Sequence, residues 1–118
     1  PLDDDALAGP FCTIVFDPPK VASTRRDRSR AIDAMTRTVG RLVPRLEPHG
    51  LLVLCSCSHH LDVDALDAVT LRAGASRGAS FHRLAVHGPG LDHPVAPGHA
   101  HGEYLRVAYY RRGAQTPG

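Results

Sequence analysis

The sequence predicts an α/β fold, in which apolar strands alternate with helices. Residues 11–16 (FCTIVF) and 51–55 (LLVLC) are unbroken apolar runs, which are typical of strands buried on both faces of a parallel sheet. The residues between them carry apolar side chains at spacings of three and four, the pattern of an amphipathic helix. Because strands joined by a helical crossover are parallel, these two strands are expected to point the same way in one sheet.

The first helix has a recognisable start and an apolar side. Pro18 and Pro19 end the preceding strand, and Thr24-Arg25-Arg26-Asp27 has the form of a capping box. Pro44 is expected to kink or end the last turn. The apolar side is formed by Ile32, Met35, Val39, Leu42 and Leu46. The other side carries mainly arginines, namely Arg26, Arg30, Arg37, Arg41 and Arg45.

A second helix is predicted after the strand at 51–55. Asp62 or Asp64 can serve as its N-cap, because a side-chain oxygen there accepts a hydrogen bond from an amide of the first turn. The helix is expected to run from about residue 63 to residue 73, with Gly74 as its stop.

Glycine and proline mark the remaining turns. Pro48-His49-Gly50 is predicted as a turn before the second strand. Residues 88–102 are too rich in glycine and proline for regular structure, and they separate two further predicted strands at 81–87 and 103–111. Since only a loop joins these last two strands, they can pair antiparallel, which gives parallel strands with a final antiparallel one.

Length and composition indicate one globular domain. The 118 residues are enough for a single hydrophobic core. No apolar run approaches the length of a membrane-spanning helix, and no basic segment followed by an apolar one marks a signal peptide. Three cysteines without a secretion signal argue against a disulfide framework and for a reducing compartment, which we take to be the cytoplasm.

Positive charge is concentrated in the first predicted helix. The net charge is only +2, but residues 25–46 contain seven arginines against Asp27 and Asp33. A local basic surface of this kind can contact phosphate groups, and the alternative interpretation is a solvated helix face.

Two reactive side chains follow the two apolar strands. Ligands of open α/β sheets bind at the carboxyl ends of the strands, and Asp17 and Cys57 both lie at such ends. We therefore expect them to be close together on the same rim. Cys57 is a candidate nucleophile, because a thiolate attacks carbon readily, although a small buried thiol is the alternative. Asp17 is a candidate hydrogen-bond acceptor for a planar base, and a plain turn residue is its alternative.

A metal site is the competing interpretation of the same region. Its ligands would come from Cys55, Cys57, His59, His60, His93, His99 and His101. Their spacing does not match the paired pattern of structural zinc sites, so no metal is predicted. Gly88 and Gly90 flank a proline and open no helix, which excludes a phosphate-binding glycine loop.

Three segments resemble class I S-adenosylmethionine-dependent methyltransferases. CTIVFDPPK (12–20) is similar to the fourth motif of these enzymes. LEPHGLLVLCSCSHH (46–60) resembles the fifth strand and sixth motif of the branch that makes 5-methylcytosine in large-subunit ribosomal RNA, although that branch usually has Pro-Gly-Gly where this sequence has Pro-His-Gly. LDHPVAPGHAHGEYLR (91–106) resembles the C-terminal segment of the same branch.

The resemblance implies roles for individual residues. Cys57 would be the nucleophile, and Asp17 would hold the ring-nitrogen edge of the cytosine. S-adenosylmethionine would be the cofactor, contacted by Asp17 and Pro18. The substrate would be RNA, and the resemblance points to ribosomal RNA. Its contacts would be Pro18, Pro19, Lys20, Ser56, Ser58 and His93. The basic helix would lie near its phosphate groups.

The resemblance covers only part of a catalytic domain. The 118 residues look like the C-terminal half of a Rossmann-like class I methyltransferase sheet, without the glycine-rich half that holds the cofactor. A lone chain of this kind is expected to be inactive and to dimerise through an exposed edge at strand 11–16. Two alternatives remain open, a methylase of base amino groups, which needs no cysteine, and a non-catalytic module that binds RNA or metal.

Overall fold

The described residues of the protein form one four-stranded sheet with two α-helices. The structure, a computed structural model, describes residues 9–18, 25–57, 61–88 and 105–114. In chain order its elements are β1 (Phe11–Phe16), α1 (Arg25–Leu42), a 3-10 turn (Val43–Arg45), β2 (Leu46–Ser56), α2 (Val63–Ser76), β3 (Phe81–His87) and β4 (Arg106–Arg112). The Thr24 cap and residues 103–104 of the last predicted strand lie outside the described residues.

The sheet has the strand order β1-β2-β4-β3. β1 pairs parallel with β2, and β4 runs antiparallel to both β2 and β3. Three strands therefore share one direction and the last strand opposes them, which confirms the predicted α/β class with a final antiparallel strand. β1 lies at the end of the sheet, and its outer edge has no strand partner among the described residues.

Helix α1 buries the apolar side that its spacing predicts. Ile32, Met35 and Val39 are between 0% and 7% exposed, whereas Arg37 and Arg41 face solvent. The α-helix ends two residues before Pro44, because the proline ring cannot continue the ladder of backbone hydrogen bonds. Leu46 was expected on this helix and is instead the first residue of β2, where it is 2% exposed.

β2 begins with an irregular segment. Phe11 pairs with Leu46, but Thr13 pairs with Leu51, so β2 contains extra residues that bulge from the parallel ladder. His49 lies in this bulge with φ 66°, a left-handed conformation that favours glycine. Arg111 Nη1 donates a hydrogen bond of 2.8 Å to the His49 carbonyl oxygen. The turn predicted at 48–50 is thus a kink within a strand rather than a break before it.

Helix α2 is capped by Asp62 and ends later than predicted. The Asp62 side chain accepts a 3.0 Å hydrogen bond from the Ala65 amide. The prediction that Gly74 stops the helix is wrong, since α2 continues to Ser76. The stop is Gly78, with φ 68°, where the amide of the next residue donates to the Gly74 carbonyl oxygen in a Schellman arrangement.

The core lies on one face of the sheet. Leu52 and Leu54 of β2, at 1% and 0% exposure, join buried residues of both helices in one cluster. Successive strand residues point to opposite faces, so the neighbouring residues belong to the other face, which we call the open face. Val15 of β1 lies there and is 62% exposed. Among the described helices, none is both long and apolar enough to cross a membrane.

Candidate functional site

Asp17, Cys55 and Cys57 meet on the open face at the carboxyl ends of β1 and β2. Phe16 pairs with Leu54 in the parallel register, so the next residues, Asp17 and Cys55, lie beside each other. Strand alternation places Cys55 on the face of Val15. Asp17 and Cys57, each one residue past the end of its strand, both lie close enough for their charges to act on the Cys55 thiol. The two reactive groups expected on one rim are therefore neighbours, with Cys55 between them.

The electrostatics of this cluster are consistent with the strand register. Burial raises the pKa of the Cys55 thiol, and the charges of Asp17 and Cys57 raise it further. Each of those groups must lie near Cys55 for its charge to act on that thiol. Asp17 itself is exposed, and Cys55 and Cys57 are half-buried, so the cluster is open to solvent.

The other predicted site residues are placed differently. Pro18 directly follows Asp17 and is half-buried at the same rim. Ser56 is 2% exposed and lies on the helix-covered face, so the fold separates its hydroxyl from the thiols on either side of it. The remaining predicted substrate contacts lie outside the described residues, namely Pro19, Lys20, Ser58 and His93.

No metal centre is formed by the part of the chain that the structure describes. Within residues 9–18, 25–57, 61–88 and 105–114, no group of three or more His, Cys, Asp or Glu side chains is arranged to hold a metal ion. The histidines that the metal alternative invokes, from His59 to His101, lie outside those ranges.

A second polar cluster occupies the same rim on the helix-covered face. Asp62 accepts a hydrogen bond of 3.2 Å from Arg28 Nη2 of α1. Arg106, the first residue of β4, pairs with Ser56 and acts electrostatically on Asp62. Burial raises the pKa of Asp62, but the Ala65 amide, Arg28 and Arg106 outweigh burial and hold that pKa below its usual value. Sequence reasoning missed this cluster, because nothing local links residues that lie 34 or more positions apart.

Sequence comparison relates part of the chain to a ribosomal RNA methyltransferase. No protein-family model matches the chain. The chain is 28% identical over 96 residues to the ribosomal RNA large subunit methyltransferase of Deinococcus radiodurans. The match covers 81% of this chain but only 23% of the relative, so the chain spans about a quarter of the length of that protein.

Structural comparison finds the same fold in longer proteins. SMU.776, to which methyltransferase activity is ascribed and which was crystallised with SAH, has a TM-score of 0.64 at 14% identity, over 92% of this chain and 28% of its own. A methyltransferase homologue from Pyrococcus horikoshii has a TM-score of 0.59 at 21% identity, over 91% of this chain and 41% of its own. Taken with the resemblance of the motifs, these likenesses identify the fold of the chain as part of the class I methyltransferase fold.

Proposed function

We propose that the chain is part of an S-adenosylmethionine-dependent methyltransferase that methylates carbon 5 of cytosine in ribosomal RNA. The observation that carries the proposal is the cluster of Asp17, Cys55 and Cys57 on the open face at the carboxyl ends of β1 and β2. The similarity to a ribosomal RNA large subunit methyltransferase supports the reaction type and the RNA substrate.

Cys57 has the position and chemistry of the nucleophile. Carbon 5 of cytosine reacts poorly with electrophiles until a nucleophile has added at carbon 6. The Cys57 thiolate forms the sulfur–carbon 6 bond, and the electron pair of the ring double bond moves to carbon 5, which then takes the methyl group. A base removes the carbon 5 proton, the double bond re-forms, and the sulfur–carbon 6 bond breaks to return the thiolate.

Asp17 is the group that holds the cytosine. Its carboxylate is exposed at the rim beside the thiols, where it can accept hydrogen bonds from the ring-nitrogen edge of the base. A carboxylate there also stabilises the protonated ring that forms when the thiolate adds. The target base has to leave its stack to reach this rim, because carbon 6 is shielded inside a duplex.

The described residues fit one side of a cofactor site. When bound, S-adenosylmethionine supplies the methyl group, and SAH, found in SMU.776, is the product of that transfer. Asp17 and Pro18 would contact the cofactor from this chain, because both lie at the sheet rim and neither is fully buried. The exposed arginines of α1, among them Arg37 and Arg41, would face the RNA backbone.

The first experiment measures cofactor binding by the 118-residue chain. In calorimetric titration with S-adenosylmethionine, a dissociation constant tighter than about 100 μM, roughly −5.5 kcal/mol, means that these residues hold the cofactor. Absence of binding means that residues outside this sequence are needed, and the trapping experiment below then requires the longer protein.

The second experiment traps the covalent intermediate. Ribosomal RNA that contains 5-fluorocytidine has no carbon 5 proton to lose, so the Cys57 adduct persists on a denaturing gel. Cys57→Ser is expected to abolish the adduct, whereas Cys12→Ser, which changes an exposed thiol of β1, leaves it intact. Methylation that survives Cys57→Ser contradicts the cytosine-5 mechanism and favours a methylase of base amino groups.

A further inference from the structure

The second rim cluster, formed by Arg28, Asp62 and Arg106, combines one acidic side chain with two basic ones. Asp62 Oδ1 already accepts hydrogen bonds from Arg28 and from the Ala65 amide. Arg106 acts on the same carboxylate through space. One carboxylate therefore faces two guanidinium groups, and the N-terminus of α2 adds a partial positive charge at the same place.

Arg106 also carries a donor that the described fold does not satisfy. Its Nη1 atom is shielded from solvent and has no hydrogen-bond acceptor among the described residues. A buried polar group without a partner is costly, so such groups are rare unless they serve a purpose.

The backbone leaves room for the Arg106 side chain. Gly88, next to the end of β3, lies so close that a β-carbon there would be 3.0 Å from the Arg106 Cγ. A larger residue at this position would push the arginine stem away. The absence of a side chain at Gly88 thus lets the Arg106 stem lie close to the backbone at this point of the rim.

The location of the cluster relates it to the proposed reaction. Arg106 of β4 pairs with Ser56 of β2. Ser56 is the residue immediately before the proposed nucleophile, Cys57. Arg28 and Asp62 have side chains that are 38% and 50% exposed, so a solvent-borne anion can reach the cluster. Planar guanidinium groups bind phosphate oxygens in a fork geometry, and two of them flank this position.

We propose that Arg28 and Arg106 form a binding site for a backbone phosphate of the RNA substrate, next to the nucleotide that reaches Cys57. Asp62 orients the Arg28 guanidinium through their hydrogen bond, and the phosphate accepts hydrogen bonds from both arginines. The inference rests on the proposed function, because it takes the ligand to be the RNA that is methylated at this rim.

The test measures binding of a short single-stranded RNA to the 118-residue chain by fluorescence anisotropy across a potassium chloride series. Arg106→Gln is expected to weaken binding roughly tenfold, as loss of a charge-assisted hydrogen bond does. It should also reduce the slope of log K against log salt by about 0.7, the value for one phosphate contact on a single strand. Arg72→Gln is the matched control, since it removes the same charge from an exposed ion pair between Arg72 of α2 and Asp33 of α1.

Two further variants keep the test valid if Arg106→Gln folds poorly. Arg106→Lys keeps the charge but loses the fork, so it is expected to bind RNA with intermediate affinity. Arg28→Gln removes the other guanidinium and should weaken binding to a similar extent. Thermal unfolding of each variant shows whether the fold is retained.

The outcomes separate this inference from the proposed function. Equal RNA affinities for Arg106→Gln and Arg72→Gln overturn the phosphate site, as does wild-type binding to polyglutamate that matches its binding to RNA. Absence of any RNA binding by the wild-type chain also overturns it. The proposed function is judged separately by the cofactor titration and by the adduct at Cys57, both measured with Arg106 unchanged.

Discussion

Asp17 lies beside Cys55 across the parallel β1–β2 pair, one position beyond the pairing of Phe16 with Leu54. Burial raises the pKa of the Cys55 thiol, and the Asp17 carboxylate and Cys57 raise it further. Two neighbouring strands thus bring an acid and two thiols to one rim of the sheet, and the charge of the acid acts directly on the thiol chemistry there.

Replacing Asp17 with Asn is expected to lower the pKa of the Cys55 thiol. The amide carries no charge, so the thiolate form of Cys55 loses an unfavourable neighbour. The rate of alkylation by iodoacetamide, followed against pH in a Cys12→Ser, Cys57→Ser background, should rise at lower pH in the variant. Asp33→Asn removes an exposed acid on α1 and should leave the profile unchanged. Identical profiles for wild type and Asp17→Asn would mean that the carboxylate does not act on Cys55.

Tyr110 and Asp67 form a hydrogen bond that links β4 to α2. The Tyr110 hydroxyl donates to Asp67 Oδ1 at 2.7 Å, and Arg83 Nη1 contacts the other oxygen of that carboxylate at 2.6 Å. Tyr110 is 3% exposed. We expect Tyr110→Phe to lower the free energy of unfolding by about 1–2 kcal/mol, because Asp67 loses one partner but keeps Arg83.

Because of the same hydrogen bond, the free energy of unfolding is expected to fall at high pH. Burial and then Asp67 raise the pKa of Tyr110 above its ordinary value, so the folded state favours the neutral phenol. This contribution is fully present below pH about 10, the pKa of an unfolded tyrosine, and is lost as the pH rises above that value. Urea unfolding at rising pH should show this loss in wild type and a smaller one in Tyr110→Phe. Tyr109→Phe, on the opposite face of β4, is the control, and an equal loss in Tyr110→Phe would contradict the assignment.

His49 occupies a backbone conformation that suits glycine. Its φ of 66° costs a residue with a β-carbon on the order of 1–2 kcal/mol. Glycine removes that cost but gains freedom in the unfolded chain, so His49→Gly is expected to stabilise the fold by up to about 1 kcal/mol. His82→Gly, on the exposed strand β3, should destabilise it. Denaturant unfolding measures both, and destabilisation by His49→Gly would contradict the strain.

Because β1 has an unpaired outer edge among the described residues, we expect the chain to associate with a second copy of itself. Val15 is 62% and Phe11 38% exposed on this terminal strand, and unpaired apolar edges pair with other strands. We expect the 118-residue chain to form dimers at tens of micromolar, and Val15→Lys to shift them toward monomers by adding a charge to the edge. Light scattering measures both, with Leu71→Lys on α2, 73% exposed, as the control. A wild-type chain that is monomeric at these concentrations would contradict this prediction.

Sequence patterns predicted the parts of the fold that depend on local periodicity. The apolar runs ending at Phe16 and Cys55 established the parallel pair, and that pair alone was enough to place Asp17 near Cys57. Local patterns predicted the wrong stop for α2, because Gly74 and Gly78 differ in backbone conformation and not in residue type. Leu46 continued the helical spacing of α1, and only the proline before it separates it from that helix.

Contacts between distant residues were beyond such patterns. Arg28 and Arg106 both act on Asp62, yet they come from the start of a helix and the start of the last strand. Their proximity follows from the strand order β1-β2-β4-β3, in which β4 is inserted beside β2. The periodicity of single elements does not determine that insertion.

The alternation of β2 has a consequence for how this strand tolerates changes in length. Cys55 and Cys57 point to the open face, whereas Ser56 between them points to the helices. A deletion of one residue between Leu51 and Leu54 would invert this order, turning both thiols inward and the hydroxyl outward. A substitution in this segment alters the packing of one side chain. An insertion or deletion of one residue would instead exchange the faces on which the thiols and the hydroxyl lie. We therefore expect natural length variation to be confined to the bulge around His49, upstream of the regular ladder.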